Sequence, residues 1–173
     1  GIPLGNTPGV LVDATADIAF ALLLAAARRV PEGERFMRAN QWTPARKWEP
    51  DLLLGKDLSG ATLGLIGLGA IGQAVARRAQ GFGMRVIGWT PSGREVPGVR
   101  NESFERVLET SDFLSLHLAL TARTQKIIDA AALARMRSDA IFINTARGGL
   151  VDEAALVDAL REGVRLSGYA GPP

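Results

Sequence analysis

The sequence of 173 residues contains no cysteine, a single histidine and few aromatic residues, and these absences narrow its function. Without cysteine the chain forms no disulfide bond and no thiolate metal site, which fits a reducing, cytoplasmic location. Its 20 basic and 18 acidic residues nearly balance and the basic ones form no run, so we expect no nucleic-acid partner. The longest apolar run, Ile18–Ala27, is too short to cross a bilayer, so we expect no membrane partner either.

Length and hydropathy favour one domain with a substantial core, since 47% of the residues are hydrophobic. The chain begins at Gly1, in a turn-rich segment, rather than at a methionine. It closes on Gly171-Pro172-Pro173, directly after a predicted strand. Both ends resemble positions inside a longer protein, so we expect this domain to be part of a larger chain.

A glycine-rich segment carries the strongest functional signal. An apolar run over 61–66 leads into Gly67, Gly69 and Gly72, which form a G-x-G-x-x-G pattern in front of a predicted helix. The first glycine permits a sharp turn, the second lets the backbone approach a phosphate, and the third lets the helix lie close to the strand. Free N–H groups at the helix N-terminus favour an anion. The segment predicts a dinucleotide site, the alternative being a turn kept for packing alone.

From residue 61 onward, short apolar strands alternate with helices, which predicts a doubly wound, mostly parallel α/β sheet of the Rossmann type. Fully apolar runs such as Ile141–Ile143 are typical of strands covered on both faces. In such sheets, ligands bind beyond the carboxyl ends of the strands. The predicted strands are 62–66, 85–89, 112–116, 140–144 and 164–168, and the predicted helices are 70–82, 103–110, 129–136 and 152–162.

The first third of the chain does not follow this alternation. Residues 1–12 read as a connector, and a helix is predicted over 13–29 with Asp13 or Thr15 as its N-cap. This helix is apolar on nearly all sides, so we expect it to be buried either within its own subunit or against a second one. We favour the second subunit.

A more polar helix is predicted over 32–40, and an irregular arm follows over Gln41–Pro50. The arm carries Trp42 and Trp48 together with prolines. These tryptophans either cover the core as a flap or anchor a partner chain, and the sequence favours neither alternative.

The end of the second predicted strand bears on the choice of cofactor. An NAD-binding domain usually carries an acidic residue about 20 positions after the first glycine, where it binds the ribose hydroxyls. This sequence has Thr90, Ser92 and Arg94 in that stretch, and its first acidic residue there is Glu95. Hydroxyl and guanidinium groups bind the 2′-phosphate of NADP, which a carboxylate would repel. The pattern favours NADP over NAD, the alternative being that Arg94 is a solvated loop residue.

Arg147 follows an apolar strand, and two glycines come directly after it. An arginine at this strand end is expected to point into the ligand crevice. There its planar, permanently charged group suits a carboxylate or polarises a carbonyl oxygen. The alternative is a salt bridge to Asp152 or Glu153. The adjacent glycines favour close approach to a ligand and therefore a functional role.

His117, the only histidine, ends the strand over 112–116 and also faces the crevice. A catalytic proton donor needs a carboxylate to orient and tune its ring. The neighbouring stretch Ser115–Thr121 supplies none. We therefore interpret His117 as a residue that lines the pocket and not as the proton donor.

Three stretches together resemble the D-isomer-specific 2-hydroxyacid dehydrogenases, with glyoxylate/hydroxypyruvate reductases looking closest. These stretches are 64–76 around the glycine motif, 115–121 around His117 and 144–156 around Arg147. The helical segment 12–28 is also similar to that family. The resemblance covers nearly the whole chain, with the motifs in the expected order.

This resemblance implies a cofactor domain of an oxidoreductase that transfers hydride between NAD(P)H and a small 2-oxo or 2-hydroxy acid. Arg147 matches the catalytic arginine that binds the substrate carboxylate. The first long helix and its arm, 13–50, match the dimer contact, so a homodimer is implied, and 61–168 forms the β/α core. From the motifs and the resemblance together, the candidate cofactor-binding residues are Gly67, Gly69, Ala70, Ile71, Gly72, Thr90, Ser92, Arg94, His117, Leu118, Thr124, Thr145 and Ala146.

The departures from the family pattern matter equally. The family builds a separate substrate domain from both chain termini, and its catalytic glutamate and histidine lie beyond the end of this sequence. Pro172 stands where the family usually places an aspartate that contacts the nicotinamide. We therefore expect the isolated chain to bind cofactor and to be nearly inactive. The alternative function is a nucleotide-sensing interaction module, because the same family includes transcriptional corepressors.

Overall fold

The computed structural model describes residues 9–46 and 49–161, together with the backbone of 166–170. Within these residues the chain forms one six-stranded sheet in which all neighbouring strands are parallel, with helices on both faces. The helices are α1 Val12–Ala27, α2 Val30–Arg38, α3 Ala70–Gly81, α4 Phe104–Thr110, α5 Ala130–Arg135 and α6 Glu153–Arg161. The strands are β1 Thr62–Ile66, β2 Arg85–Trp89, β3 Arg100–Asn101, β4 Phe113–Leu116, β5 Ala140–Asn144 and β6 Leu166–Ala170.

The strands lie in the order β3-β2-β1-β4-β5-β6, so the chain builds one half of the sheet outward from β1 and then returns to build the other. The doubly wound α/β fold predicted from the sequence is confirmed. In this order the crossover helices leave β1 and β4 in opposite directions, which opens a crevice beyond their carboxyl ends.

Apolar side chains cover both faces of the sheet. Because successive side chains of a strand point to opposite faces, Ile141 and Ile143 pack in the cluster that holds α1 and α3, whereas Phe142 packs in the cluster that holds α4, α5 and α6. All three are nearly inaccessible to water. Each such side chain stabilises the fold by roughly 1.5–3 kcal/mol, so the sheet is a rigid platform for the loops at its edges.

The predicted N-cap of the first helix is wrong. The helix begins one residue earlier than predicted, with Leu11 as its N-cap and no side-chain capping bond. The two acidic side chains of this helix instead face α3, where Arg78 lies 2.5 Å from Asp17 and 3.4 Å from Asp13. A tertiary ion pair has replaced the local cap, and the helix also ends two residues before the predicted boundary.

Strand β3 is absent from the prediction because Arg100 and Asn101 are polar, exposed and only two residues long. The last strand lies two residues later than predicted, at Leu166–Ala170. The remaining boundaries of predicted strands and helices differ from the structure by no more than two residues. Pro172, where the family usually has an aspartate, lies outside the described residues.

Helix α1 is buried on one face only. Ala16, Phe20 and Leu23 pack into the core, but Ile18 is 59% exposed. Packing within its own subunit therefore accounts for one face of the helix, and burial of the exposed face against a second subunit stays a prediction. Trp42 is 52% exposed and does not cover the core, and Trp48 lies outside the described residues. Among the described helices, none combines the length and apolarity needed to cross a bilayer.

An ion network lies at the amino edge of the sheet, where the strands begin. Lys56 lies 2.9 Å from Asp139 and 3.4 Å from Asp112, and Arg137 lies close to both carboxylates. Asp112 also accepts a 2.8 Å hydrogen bond from the backbone N–H of Thr62, which joins the start of β1 to the start of β4. The hydrogen bond from Lys56 lowers the pKa of Asp139 to about 2. These charges stabilise the edge opposite the candidate site.

Candidate functional site

The glycine loop and the loop after β4 meet beyond the carboxyl ends of the two central strands. The backbone N–H of Gly67 donates to the carbonyl of Trp89, and that of His117 donates to the carbonyl of Ile66, each at 2.8 Å. These bonds extend the sheet by one residue on each strand, and so they fix where both loops leave it. The loops form the floor of the crevice that the strand order opens.

Three glycines shape this floor in three different ways. Gly67 has φ +105°, and a Cβ there would lie 2.5 Å from the carbonyl oxygen of His117. A Cβ at Gly72 would collide with the carbonyl of Gly67, so α3 can lie this close to β1 only with glycine here. Gly69, the N-cap of α3, has ordinary extended angles, and a Cβ there would meet no atom within 4 Å. Packing explains Gly67 and Gly72, but it does not explain Gly69, which borders open space at a helix N-terminus.

The loop after β2 carries Thr90, Ser92 and Arg94. Because β2 lies next to β1 in the sheet, this loop is beside the cradle formed by Gly67–Gly72. The backbone N–H of Gly93 donates to the carbonyl of Thr90 at 3.0 Å and closes a turn, in which Gly93 has φ +64°. Thr90 is half-buried, whereas Ser92 and Arg94 are exposed. Within the described part of the chain, Arg94 forms no ion pair, so its guanidinium is available to a ligand.

The loop after β5 presents Arg147. Its side chain is exposed and donates a 2.7 Å hydrogen bond to the carbonyl of Ala146, and it forms no salt bridge with any described residue. Asp152, which the sequence offers as an alternative partner, lies 3.1 Å from Lys126 instead. The salt-bridge interpretation of Arg147 therefore finds no support in these contacts, and most of its donors remain free to bind an anion.

Thr145 and Thr124 differ in how their hydroxyls are used. The hydroxyl of Thr145 is buried at the carboxyl end of β5 and has no hydrogen-bond partner, the one such side-chain atom found among the described residues. The hydroxyl of Thr124 instead donates to the carbonyl of Ala119 at 2.7 Å and accepts from the N–H of Thr121 at 2.8 Å. Thr145 thus offers an unused polar atom, while the hydroxyl of Thr124 holds the loop after β4. Leu118 and Ala146 are half-buried apolar residues of the same two loops.

The His117 side chain is half-buried, and its Nε2 lies 3.0 Å from the hydroxyl of the buried Ser115. Burial disfavours the charged ring and lowers the pKa of His117 to about 4. Around neutral pH the ring is therefore uncharged. Among the described residues no carboxylate bonds to it, which supports its interpretation as a residue that lines the pocket.

This pKa gives a measurable pH dependence. The pKa of His117 is about 6.5 in the unfolded chain and about 4 in the folded one. Between pH 6.5 and pH 4 the ring is therefore protonated in the unfolded chain but not in the folded chain. The free energy of unfolding therefore decreases as pH falls through this window, by about 3 kcal/mol when complete. We expect His117→Gln to remove this part of the decrease. Urea unfolding of both proteins at pH 7 and pH 4.5 measures the difference, and parallel losses in the two proteins would contradict it.

The loops after β4 and β5 are joined to each other. The backbone N–H of Lys126 donates to the carbonyl of Gly149 at 2.8 Å, and Ile128 forms an isolated parallel bridge with Val151. Leu120 lies against Gly149, where an added Cβ would be 3.0 Å from its side chain. Together these contacts hold the segment that carries Arg147 against the segment that follows His117.

Ser115 and Asn144 were not predicted to be functional, although both lie in stretches that resemble the family. Asn144 is fully buried, and both ends of its side-chain amide bond to the backbone of the Arg147 loop. A signal for this residue is present, because an asparagine after an apolar strand commonly closes a turn with its side chain. Among the described residues, no group of three or more side chains is arranged to hold a metal ion.

Comparison with known proteins agrees with this geometry. The family model described as "D-isomer specific 2-hydroxyacid dehydrogenase, NAD binding domain" matches residues 20–170. The glyoxylate reductase of Thermococcus litoralis is 49% identical over 168 residues, which cover 94% of this chain and 51% of that protein. The chain spans about half the length of the curated relatives it matches.

Solved structures show the same fold. The TT0316 protein from Thermus thermophilus superposes with a TM-score of 0.92 at 48% identity, over 99% of this chain and 53% of that one. An acyclic imino acid reductase, solved in complex with NADPH and D-Arg, gives a TM-score of 0.85 at 36% identity, over 92% of this chain and 50% of that one.

Proposed function

Because this chain belongs to the D-isomer specific 2-hydroxyacid dehydrogenase family, whose NAD binding domain it carries, we propose that it is the cofactor domain of a reductase. The reductase transfers hydride between NAD(P)H and a small 2-oxo or 2-hydroxy acid of the glyoxylate or hydroxypyruvate type. The observation that carries this proposal is the cradle between Gly67 and Gly72, with open space at Gly69 in front of the α3 N-terminus.

The residues of the crevice fit a nicotinamide dinucleotide. Gly69 leaves room at a helix N-terminus, where the backbone N–H groups of Ala70 and Ile71 suit a pyrophosphate. The buried, unpartnered hydroxyl of Thr145 suits a polar group of the nicotinamide half. Leu118 and Ala146 add apolar surface there. The buried hydroxyl of Thr145 is unfavourable to the fold while it has no hydrogen-bond partner, and a ligand that bonds to it would remove this cost.

Substrate chemistry in this proposal depends on Arg147. Hydride transfer is the chemistry that the bound nicotinamide supplies. The guanidinium of Arg147, free of ion pairs among the described residues, binds the carboxylate of the 2-oxo acid through two parallel hydrogen bonds. It also stabilises negative charge as it develops on the neighbouring carbonyl oxygen. A neutral His117 lines the pocket without adding charge.

NADP is the cofactor we propose to be preferred. Thr90, Ser92 and Arg94 follow β2 at the place where a carboxylate would select NAD, and Arg94 is exposed and unpaired among the described residues. The complex of the related imino acid reductase with NADPH is compatible with this choice. NAD remains the alternative cofactor.

Exchanging Arg94 for alanine is expected to raise the Kd of NADPH about tenfold and to leave the Kd of NADH unchanged, because only NADPH carries the 2′-phosphate. Fluorescence titration of the two reduced cofactors measures both constants. Arg135→Ala is the matched control, since Arg135 pairs with Glu109 and ends α5 at the opposite edge of the sheet. Equal losses for both cofactors would contradict a phosphate-specific role for Arg94.

The domain organisation follows from the same proposal. In this proposal residues 1–12 are a connector, 13–50 are a dimerisation helix and arm, and 61–168 are the β/α core. The exposed Ile18 and Trp42 support a homodimer, since large apolar side chains at 59% and 52% exposure are suited to burial by a second copy. A cytoplasmic location and the lack of a nucleic-acid or membrane partner stay predictions of the sequence.

Two measurements test the function. This chain is expected to bind NADPH and to reduce glyoxylate only very slowly, because the resemblance puts the catalytic histidine and glutamate elsewhere in the longer protein. That longer protein is expected to reduce glyoxylate readily. Cofactor binding by this chain, together with no reductase activity in the longer protein, would favour the nucleotide-sensing module instead.

A further inference from the structure

Asn144 is the last residue of β5 and is fully buried, and its side-chain amide is bonded at both ends. Its Oδ1 accepts from the N–H of Ala146 at 3.0 Å, and its Nδ2 donates to the carbonyl of Arg147 at 2.9 Å. A backbone N–H can only donate and a carbonyl can only accept, so the orientation of the amide is fixed. The side chain therefore ties the end of the strand to the two following peptide groups.

The Arg147 side chain has little else to hold it. It is exposed, it has no ion pair among the described residues, and its guanidinium donates to the adjacent carbonyl of Ala146. The point from which the side chain projects is set by its backbone, which is extended at φ −149° and ψ 139°, and its one bond, to the carbonyl of Ala146, ties the guanidinium to the same loop. Asn144 is the buried side chain that fixes this backbone from inside the sheet.

We propose that Asn144 is a positioning residue for Arg147, holding the loop so that the guanidinium meets the carboxylate of a 2-oxo acid in a productive orientation. This inference rests on the proposed function. Asn144 does not touch the substrate, so it acts only through Arg147. Its loss would leave the N–H of Ala146 without its acceptor and the carbonyl of Arg147 with only the longer, 3.3 Å bond from the N–H of Leu150, and the loop would relax in response.

The test uses the longer protein that carries this domain. Asn144→Asp keeps the acceptor for Ala146 but loses the donor to Arg147, and it is expected to lower kcat/KM for glyoxylate roughly 10- to 100-fold, as small misplacements of a binding group do. The Kd of NADPH is expected to change much less than kcat/KM, because the phosphate cradle lies at another strand end and only Thr145 and Ala146 of this loop border the nicotinamide half. Asn144→Leu, which removes both bonds, is expected to lower kcat/KM further.

A double-mutant cycle separates positioning from general destabilisation. If Asn144 acts through Arg147, adding Asn144→Asp to Arg147→Ala changes kcat/KM less than about twofold. A merely structural role predicts the same fractional loss in both backgrounds and a parallel loss of NADPH binding. Ser111→Ala is the matched control. Ser111 is also buried and hydrogen-bonded, but it lies just before the start of β4, at the edge of the sheet away from Arg147. It is expected to lower the melting temperature without changing kcat/KM.

The outcomes are distinguishable. Additive losses, or an Asn144→Asp protein with wild-type kcat/KM, would overturn the positioning role while leaving the reductase proposal intact. An Arg147→Ala protein with undiminished activity would overturn the proposed role of Arg147 itself. Loss of activity in Arg147→Ala, with no further loss on adding Asn144→Asp, is the result that supports the inference.

Discussion

Replacing Gly69 with alanine is expected to weaken NADPH binding about 100-fold, because two charge-assisted hydrogen bonds to phosphate, worth roughly 1.5 kcal/mol each, are disturbed. The protein itself has room for the added methyl group, since a Cβ at Gly69 would meet no atom within 4 Å and the backbone angles are ordinary. The cost to the fold is the loss of glycine at an N-cap, no more than about 1 kcal/mol. The variant therefore tests for a ligand at this position and not for stability.

Gly81→Ala is the matched control for this experiment. Its Cβ would also lie in open space, but at the other end of α3, away from the cradle. Titration with NADPH and thermal melting of the two variants should show a loss of binding in Gly69→Ala alone, with folded protein in both. Wild-type affinity in Gly69→Ala would mean that no phosphate approaches this loop, and the dinucleotide proposal would then be lost.

Replacing Arg147 with alanine in the longer protein is expected to lower kcat/KM for glyoxylate roughly 10²- to 10³-fold, since removing one preorganised donor from developing charge costs about 3–4 kcal/mol. Arg147 is free of ion pairs among the described residues, so little structure depends on its charge. The Kd of NADPH should remain close to the wild-type value. Steady-state kinetics with glyoxylate, combined with cofactor titration, measure both quantities.

Arg147→Lys refines this prediction. Lysine keeps the positive charge but replaces the planar fork with a single ammonium group, so it should recover only part of the lost activity. Full recovery would indicate that charge alone suffices and that the two-point contact to a carboxylate is unnecessary. An unchanged kcat/KM in Arg147→Ala would remove Arg147 from the substrate site.

The fold could be predicted from the sequence because the patterns that indicate it are local. Apolar runs such as Ile141–Ile143, the spacing of Gly67, Gly69 and Gly72, and the alternation of strands with helices each follow from a few neighbouring residues. Strand β3 was not accessible, since Arg100 and Asn101 have no apolar pattern and pair only because β2 lies beside them. The prediction of the N-cap of α1 failed for a related reason, because Arg78 of α3 forms ion pairs with Asp13 and Asp17.

The site was predicted in outline but not in its internal bonds. The position of Arg147 at a strand end follows from the sequence, whereas its freedom from Asp152 depends on Lys126 in a different loop. The unpartnered hydroxyl of Thr145 and the bonded hydroxyl of Thr124 look alike in the sequence. Only the packing of two loops distinguishes them, because a hydroxyl finds its partners in three dimensions.

The ion network of Lys56, Asp112, Arg137 and Asp139 lies at the edge of the sheet away from every residue we assign to the ligand. Changes there can raise or lower heat tolerance without altering which cofactor or acid the domain accepts. The thermal stability of the domain and its ligand chemistry can therefore be changed separately. Substitutions intended to raise the thermal stability of the domain should therefore be made at this edge of the sheet and not in the glycine loop.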